Sequence, residues 1–161
     1  MNASIRKAGT EDLKTIQDLN HKLFVKEQAE YDERFVVSWP YSDEGVAFFN
    51  RCITGEQAVA LVAEVDSQIV GYLCATLSKS PSHRERASKA ELQNMFVKEG
   101  YRGQGVGHLL VQAFEAWAKE LNVDLLSVTA SAGNTKALEF YRAQGFADYE
   151  IRLEKGLQAN S

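Results

Sequence analysis

Residues 92–110 read LQNMFVKEGYRGQGVGHLL. An apolar strand is followed by a short polar turn and by the run Arg102-Gly103-Gln104-Gly105-Val106-Gly107, which opens directly into a helix. A helix start leaves its first backbone N–H groups without intrahelical partners and carries the positive end of the peptide dipole. A phosphate placed there meets donors and a favourable field together. Gly103, Gly105 and Gly107 have no Cβ, so they permit unusual dihedrals and close approach of phosphate oxygens to the main chain. The stretch reads as an anion cradle between a strand and a helix.

Spacing removes two common nucleotide sites. A dinucleotide fingerprint wants Gly-x-Gly-x-x-Gly, but counted from Gly103 the last position is His108, and counted from Gly105 it is Leu110. A Walker A loop needs Gly-Lys followed by Ser or Thr, and the chain contains no such triplet.

Outward from the cradle the chain alternates. A short strand is expected at 4–7, after which Thr10 can cap a helix carrying Leu13, Ile16, Leu19, Leu23 and Phe24 at helical spacing. Residues 27–44 turn polar and aromatic, with Pro40 interrupting any regular element, and Val46 to Phe49 suggest a second short helix. Apolar runs at 58–65 and 69–77 flank Asp66-Ser67-Gln68 as an antiparallel hairpin. A charged loop at 80–88 leads to a strand at 89–97 and the cradle. The long helix beyond it has Leu109, Leu110, Ala113, Phe114 and Trp117 on one stripe. A strand at 124–130, a helix at 134–143 and a closing strand at 146–153 complete an α/β sandwich. In it the passage from 92 to 128 is a right-handed parallel crossover.

Composition bounds the function. The 161 residues are 45% hydrophobic and 25% charged, which fits one soluble globular unit over 1–161. A net charge of −4 and the lack of a basic tract give nucleic acid no electrostatic support and mildly favour cationic substrates. Cys52 and Cys74 lie far apart in sequence without ligand-spaced partners, so neither zinc nor a disulfide scaffold is expected; they read as buried thiols in a reducing compartment. No signal-peptide core or membrane-length apolar run is present, and the expected location is cytoplasmic, with no membrane partner.

The cradle resembles, position by position, that of the GNAT family of acyl-CoA-dependent N-acetyltransferases. A second block resembles the same family: Asn134-Thr135-Lys136-Ala137-Leu138-Glu139-Phe140-Tyr141 closed by Gly145-Phe146. Upstream, Glu64-Val65-Asp66-Ser67-Gln68-Ile69-Val70-Gly71 looks like the family's hairpin between its second and third strands. The resemblance thins before residue 55. It implies an α+β fold whose mixed, mostly antiparallel central sheet carries a parallel strand pair that splays near 95–97 and 128–130, with helices on both faces. It also implies acetyl-CoA as cofactor, its pantetheine arm lying in that wedge. The positions it assigns to cofactor binding are Met95, Phe96, Val97, Arg102, Gly103, Gln104, Gly105, Val106, Gly107, His108, Asn134, Ala137, Phe140 and Tyr141.

Direct transfer from a thioester to an amine requires removal of an ammonium proton, stabilisation of an oxyanion and protonation of the departing thiolate. The resemblance gives the last task to Tyr141, seven residues after Asn134 on the same helical face. The competing reading makes Phe140 and Tyr141 core aromatics and Asn134 only an N-cap. Glu91 is the carboxylate in the strand entering the site and the candidate base; Gln93, where other members carry an acid, cannot serve, and a bulge could change the face Glu91 occupies. The oxyanion donor is expected from a backbone N–H near Phe96 or Val97.

For the acceptor, Tyr31, Glu33, Trp39 and Tyr41, with Asp32, Asp43 and Glu44, form a mix able to hold a cationic amine. They read equally as a solvated loop with packing anchors. No serine or cysteine is framed by a base, which argues against a covalent acyl-enzyme. The expected activity is acetyl transfer in a ternary complex to a primary amine, most naturally a small molecule. A protein amino group, a non-catalytic acyl-CoA sensor and a nucleotide-binding module are the alternatives. A homodimer is compatible with the resemblance.

Overall fold

The computed structural model describes residues 2–79, 83 and 88–158. In order these form β1 (Ser4–Lys7), a 3-10 turn (Thr10–Asp12), α1 (Leu13–Glu30), a second 3-10 turn (Trp39–Tyr41), α2 (Asp43–Thr54), β2 (Ala58–Val65), β3 (Gln68–Lys79), β4 (Ser88–Val97), α3 (Val106–Glu120), β5 (Leu125–Val128) and α4 (Thr135–Ala143). The expected loop at 80–88 lies, apart from His83 and Ser88, outside the described residues.

The strands lie in the order β1-β2-β3-β4-β5, antiparallel throughout except for the parallel pair β4/β5. The β2–β3 hairpin closes over two residues, Asp66 and Ser67, both with positive φ (50° and 65°). That is the left-handed pair a tight hairpin needs to match strand twist. β2 is buried along almost its whole length because helices cover both faces of the sheet. Val59, Leu61 and Ala63 face α3 through Leu110, Val111 and Phe114, while Ala60 and Val62 face Ile16 and Leu19 of α1 and Phe49 of α2.

Two expectations need correction. Thr10 does not cap α1: it opens a 3-10 turn, and α1 starts at Leu13. The carboxylate of Asp12 organises this corner instead, accepting from Gly9 N–H at 2.8 Å and from two Arg6 nitrogens at 2.7 and 3.1 Å. The reason is that a carboxylate beside a guanidinium fork collects three donors where a threonine hydroxyl would take one. Cys52 and Cys74 are buried free thiols, as expected, and the fold brings them into one core cluster despite their distance in sequence.

The second correction concerns residues 146–153, which form no strand. A strand exists only by ladder pairing, and the sheet formed by the described residues ends at β5; Ile151 and Leu153 are 84% and 89% exposed.

Two details of β4 set up the site. Its pairing with β3 slips between Cys74/Ala75, leaving Gln93 as the extra residue of a bulge. Its pairing with β5 stops at Leu92↔Val128, so among the described residues 93–97 has no strand partner on that side. The parallel pair therefore opens beyond Leu92.

Candidate active site

The cradle is built by its loop. Gly103 and Gly105 hold φ at +71° and +87°, a region that disfavours side chains, and Gly105 is the N-cap of α3 with no side chain capping it. The amides of the first turn thus point outward with the helix dipole behind them. Gly107 is an ordinary helical residue in the first turn of α3, and a Cβ there would sit 3.1 Å from the Phe140 ring. Its glycine lets α3 and α4 approach closely. The neighbouring side chains brace the loop. Arg102 Nε donates to the Val97 carbonyl at 2.7 Å and its guanidinium lies 4.8 Å from the centre of the Phe96 ring. Gln104 donates to the Gly100 carbonyl at 3.2 Å, and His108 Nδ1 bonds Gln144 at 2.6 Å, tying α3 to the end of α4.

Beside the cradle lies a cleft of about 430 Å³, floored by Phe96 and lined by Lys22, Lys26, Lys98 and Arg102 against Glu30 and Glu99. Sequence reading missed Lys22 and Lys26. They sit on α1, far from the cradle in sequence, and only the stacking of α1 on the sheet brings them there.

The open edge of β4 supplies further donors. Lys98 N–H bonds the Val70 carbonyl at 2.8 Å, which fixes the ladder's alternation: Phe96 points its amide at β3, while Met95 and Val97 turn theirs toward the gap left by β5. Of the two positions expected to offer a donor, Val97 therefore faces the wedge and Phe96 does not.

Across the wedge stands α4. Asn134 caps it, accepting from Ala137 N–H at 3.1 Å. Its far end closes with Gly145 at φ +100°, Phe146 N–H on the Tyr141 carbonyl (3.1 Å) and Gly145 N–H on the Arg142 carbonyl (3.0 Å). This Schellman closure brings Phe146 back onto Tyr141, with ring centres 5.8 Å apart. The Gly-Phe pair after the helix thus fixes the Tyr141 ring, which Phe140 holds from the other side at 5.2 Å. Burial, with a smaller contribution from the charge of Glu27, pushes the Tyr141 hydroxyl up to about 12, so it keeps its proton at neutral pH.

Glu27 is a third residue that sequence reading missed. It reads as one more polar position of an amphipathic helix, yet it reaches from α1 to the loop before α4, where Ser131 Oγ donates to it at a long 3.4 Å. Burial raises its carboxyl above the ordinary range, opposed in part by hydrogen bonds from Ser131 and Asn134. Glu91 lies on the α1/α2 face of β4, half-buried, opposite Thr76 on β3 and Ser127 on β5. Gln93 donates to Thr76 Oγ1 at 2.9 Å and so anchors the bulge. Among the described residues, Asn20 Oδ1, Asn94 Oδ1 and Ser127 Oγ are buried without a hydrogen-bond partner.

The loop residues proposed for the acceptor separate. Tyr31 comes to the wedge, its ring edge against Gly133 in the loop before α4. Glu33 is exposed. Trp39 packs among Phe24, Phe48 and Phe49, at ring-centre distances of 5.6–5.7 Å, and forms one wall of an open groove with Phe35 and Val36. Tyr41 is held on the outer side of α1 by Asp18 at 2.6 Å, with Lys14 over its ring.

The profile of the acetyltransferase (GNAT) family matches residues 17–146. An N-alpha-acetyltransferase of Sulfurisphaera tokodaii is 28% identical over 109 residues, 65% of each chain. A mutant of the BH1408 protein from Bacillus halodurans superposes with a TM-score of 0.83 at 22% identity, over 96% of this chain and 99% of that one. The structure of AAC(6')-Iy with a bisubstrate analogue, CoA-S-monomethyl-acetylneamine, superposes at 0.75 with 18% identity, over 99% and 100%. These structural likenesses speak to the fold. The aligned part spans 46% and 65% of the first two curated relatives' lengths. With four fifths of its residues under the family profile, the chain belongs to the acetyltransferase (GNAT) family.

Proposed function

We propose that this chain transfers an acetyl group from acetyl-CoA to a primary amine within a ternary complex. The observation that carries the reading is the alignment of an uncapped helix head, flanked by left-handed glycines, with a strand edge that lies open opposite Tyr141. These features fit the carrier: the first-turn amides of α3 suit a diphosphate, the basic cleft suits its remaining phosphate, and the free edge of β4 suits an amide-bearing arm.

Bound acetyl-CoA supplies an activated thioester. The Val97 amide donates to the acyl oxygen as negative charge develops there, at the oxyanion position of the open edge. Tyr141 gives its proton to the departing sulfur. The ammonium proton of the acceptor goes to a carboxylate, and Glu27 is the better placed. It shares the loop before α4 with Asn134, it is felt electrostatically by Tyr141, and burial raises its proton affinity toward the working range of a base. Glu91 is the second candidate, on the same side of the sheet as α1. The unpartnered oxygens of Asn20 and Asn94 offer acceptors to the donors of an incoming amine.

A small-molecule amine is the favoured acceptor, in keeping with the likeness to AAC(6')-Iy. A peptide amino group is the second reading, favoured by the Sulfurisphaera relative. Thiol release measured over a panel of polyamines, aminosugars and short peptides separates them. Calorimetry should find acetyl-CoA binding with no heat from ATP or NAD. Absence of thiol with every amine, despite binding, would leave a sensor rather than an enzyme.

A further inference from the structure

The segment between α1 and α2 forms an apolar groove open to water. Phe24 of α1 and Phe35, Val36 and Trp39 of that segment line about 490 Å³, together with Asp32 and Arg34. Its volume and aromatic lining are those of a site for a small organic ligand. Phe24 stands edge-on to Phe35 at 4.9 Å and tilted against Trp39 at 5.7 Å, so the walls brace one another, while Val36 is held out in water at 61% exposure. A ligand that covers such a surface removes apolar area from water.

The two charged residues of the groove are engaged within the chain. Asp32 accepts from the Arg34 amide at 3.0 Å and from its Nε at 3.1 Å, and Arg34 also donates to Glu154 at 2.8 Å. A charged ligand group would compete with these pairs, whereas an uncharged one leaves them intact.

The groove adjoins the proposed base. Asn20, Phe24 and Glu27 recur at i, i+4 and i+7, on one face of α1. Along that face Asn20 donates to the Tyr72 hydroxyl at 2.8 Å, Phe24 forms a groove wall, and Glu27 accepts from Ser131 in the loop before α4. The three residues from Phe24 to Glu27 rise about 4.5 Å along the helix, the reach of a short alkyl spacer between a ring and its nitrogen. A carboxylate beside an apolar aromatic groove is the complement of an ammonium joined to an aryl group.

We propose that the acceptor is an arylalkylamine, its ammonium at Glu27 and its ring in the groove of Phe24, Phe35, Val36 and Trp39. This rests on the reading of the chain as an N-acetyltransferase. The ammonium proton passes to Glu27, the nitrogen bonds the acetyl carbon, and the C–S bond breaks with its electron pair on sulfur, which takes the Tyr141 proton. Ring contacts with Phe24 and Trp39 favour an aryl group beyond the area it buries. Hydroxylated or charged substituents would lose water there without finding partners.

The test uses the whole chain with acetyl-CoA, reading thiol release. kcat/KM for 2-phenylethylamine should exceed that for ethylamine, spermidine, glucosamine and a short peptide by about tenfold or more. Val36→Asn should raise KM for 2-phenylethylamine about threefold or more, with kcat within about twofold, and Val36→Ile should leave KM at the wild-type value. Both variants should keep wild-type circular dichroism and the calorimetric Kd for acetyl-CoA. With CoA bound, so that no turnover occurs, 2-phenylethylamine should shift the tryptophan emission of the wild type and not that of Trp39→Phe; Trp117, the other tryptophan, is buried in the core. Thiol release that favours ethylamine, the polyamine, the aminosugar or the peptide overturns the proposal and leaves acetyl transfer standing. So does a preference for 2-phenylethylamine that Val36→Asn leaves intact. If no amine releases thiol, acetyl transfer falls and the emission decides for the groove: a shift confined to the wild type supports an arylamine site, and no shift overturns it.

Discussion

Gly105 carries the cradle in its backbone. Its φ of +87° disfavours an L side chain by roughly 1–2 kcal/mol, and a β-branched group there also stands between the first-turn amides and a phosphate. Gly105→Val should therefore raise the calorimetric Kd for acetyl-CoA at least tenfold, roughly 1.4 kcal/mol. An unchanged Kd moves the phosphate site elsewhere. Tyr141→Phe deletes one hydroxyl and keeps the packing against Phe140 and Phe146. It should lower kcat on the order of 10²-fold while acetyl-CoA affinity stays within about twofold. Equal turnover would reassign the proton donor.

Glu27→Gln separates catalysis from stability. It should lower kcat/KM on the order of 10²-fold and abolish the acidic limb of its pH profile; Glu91→Gln run in parallel shows which carboxylate owns that limb. The folded carboxyl of Glu27 sits above its unfolded value, so its favourable contribution is complete below the unfolded value and is lost as pH rises through the folded one. The glutamine variant should therefore match or exceed the wild-type Tm at neutral pH, with the advantage shrinking in acid. A lower Tm at neutral pH would show that the ionised carboxylate is structural.

At the scale of elements, the entry to α1 depends on one side chain. Asp12 is almost fully buried and accepts from Gly9 and Arg6, and Arg6 also reaches Glu64 on β2 at 2.6 Å. Asp12→Ala leaves the Gly9 amide and the guanidinium without that acceptor and should cost about 2–3 kcal/mol in urea unfolding. Hydrogen bonds to Arg6 hold the Asp12 carboxyl below its ordinary value. This contribution is therefore present above the unfolded pKa and fades as pH falls through the folded one, so the variant and wild type should converge in stability at strongly acidic pH. Convergence at neutral pH instead would mean the corner is held by packing.

The elements that could be read from sequence share a property with this corner: their causes are local. The Asp66-Ser67 turn, the Asn134 cap and the glycine head of α3 each involve residues within a few positions of one another. The entry to α1 was misread because Asp12 outcompetes Thr10 through Arg6, a partner on another element. The packing of Phe140 against Gly107, likewise, was not legible in sequence, since it joins two helices.

At the scale of the molecule, the wedge arises from disagreement between two strands. β4 runs to Val97 and bulges at Gln93, whereas β5 stops at Val128, so the parallel pair opens where the cradle begins. The layering of helices on the sheet carries Glu27 to Ser131 across 104 positions of sequence and places Lys22 and Lys26 beside Arg102. It also brings the Cys52 and Cys74 thiols into contact.

The amino-acid sequence by itself determined the hairpin, the glycine head of α3, the Asn134 cap of α4 and the mixed sheet, because each follows from short-range hydrogen bonding and side-chain period. Only the tertiary structure decided which β4 amides face the gap, which carboxylate stands beside Tyr141, and that residues 146–153 lie outside the chain's own sheet. Those outcomes depend on strand pairing and layer contacts between distant segments, whose energies a linear pattern does not encode.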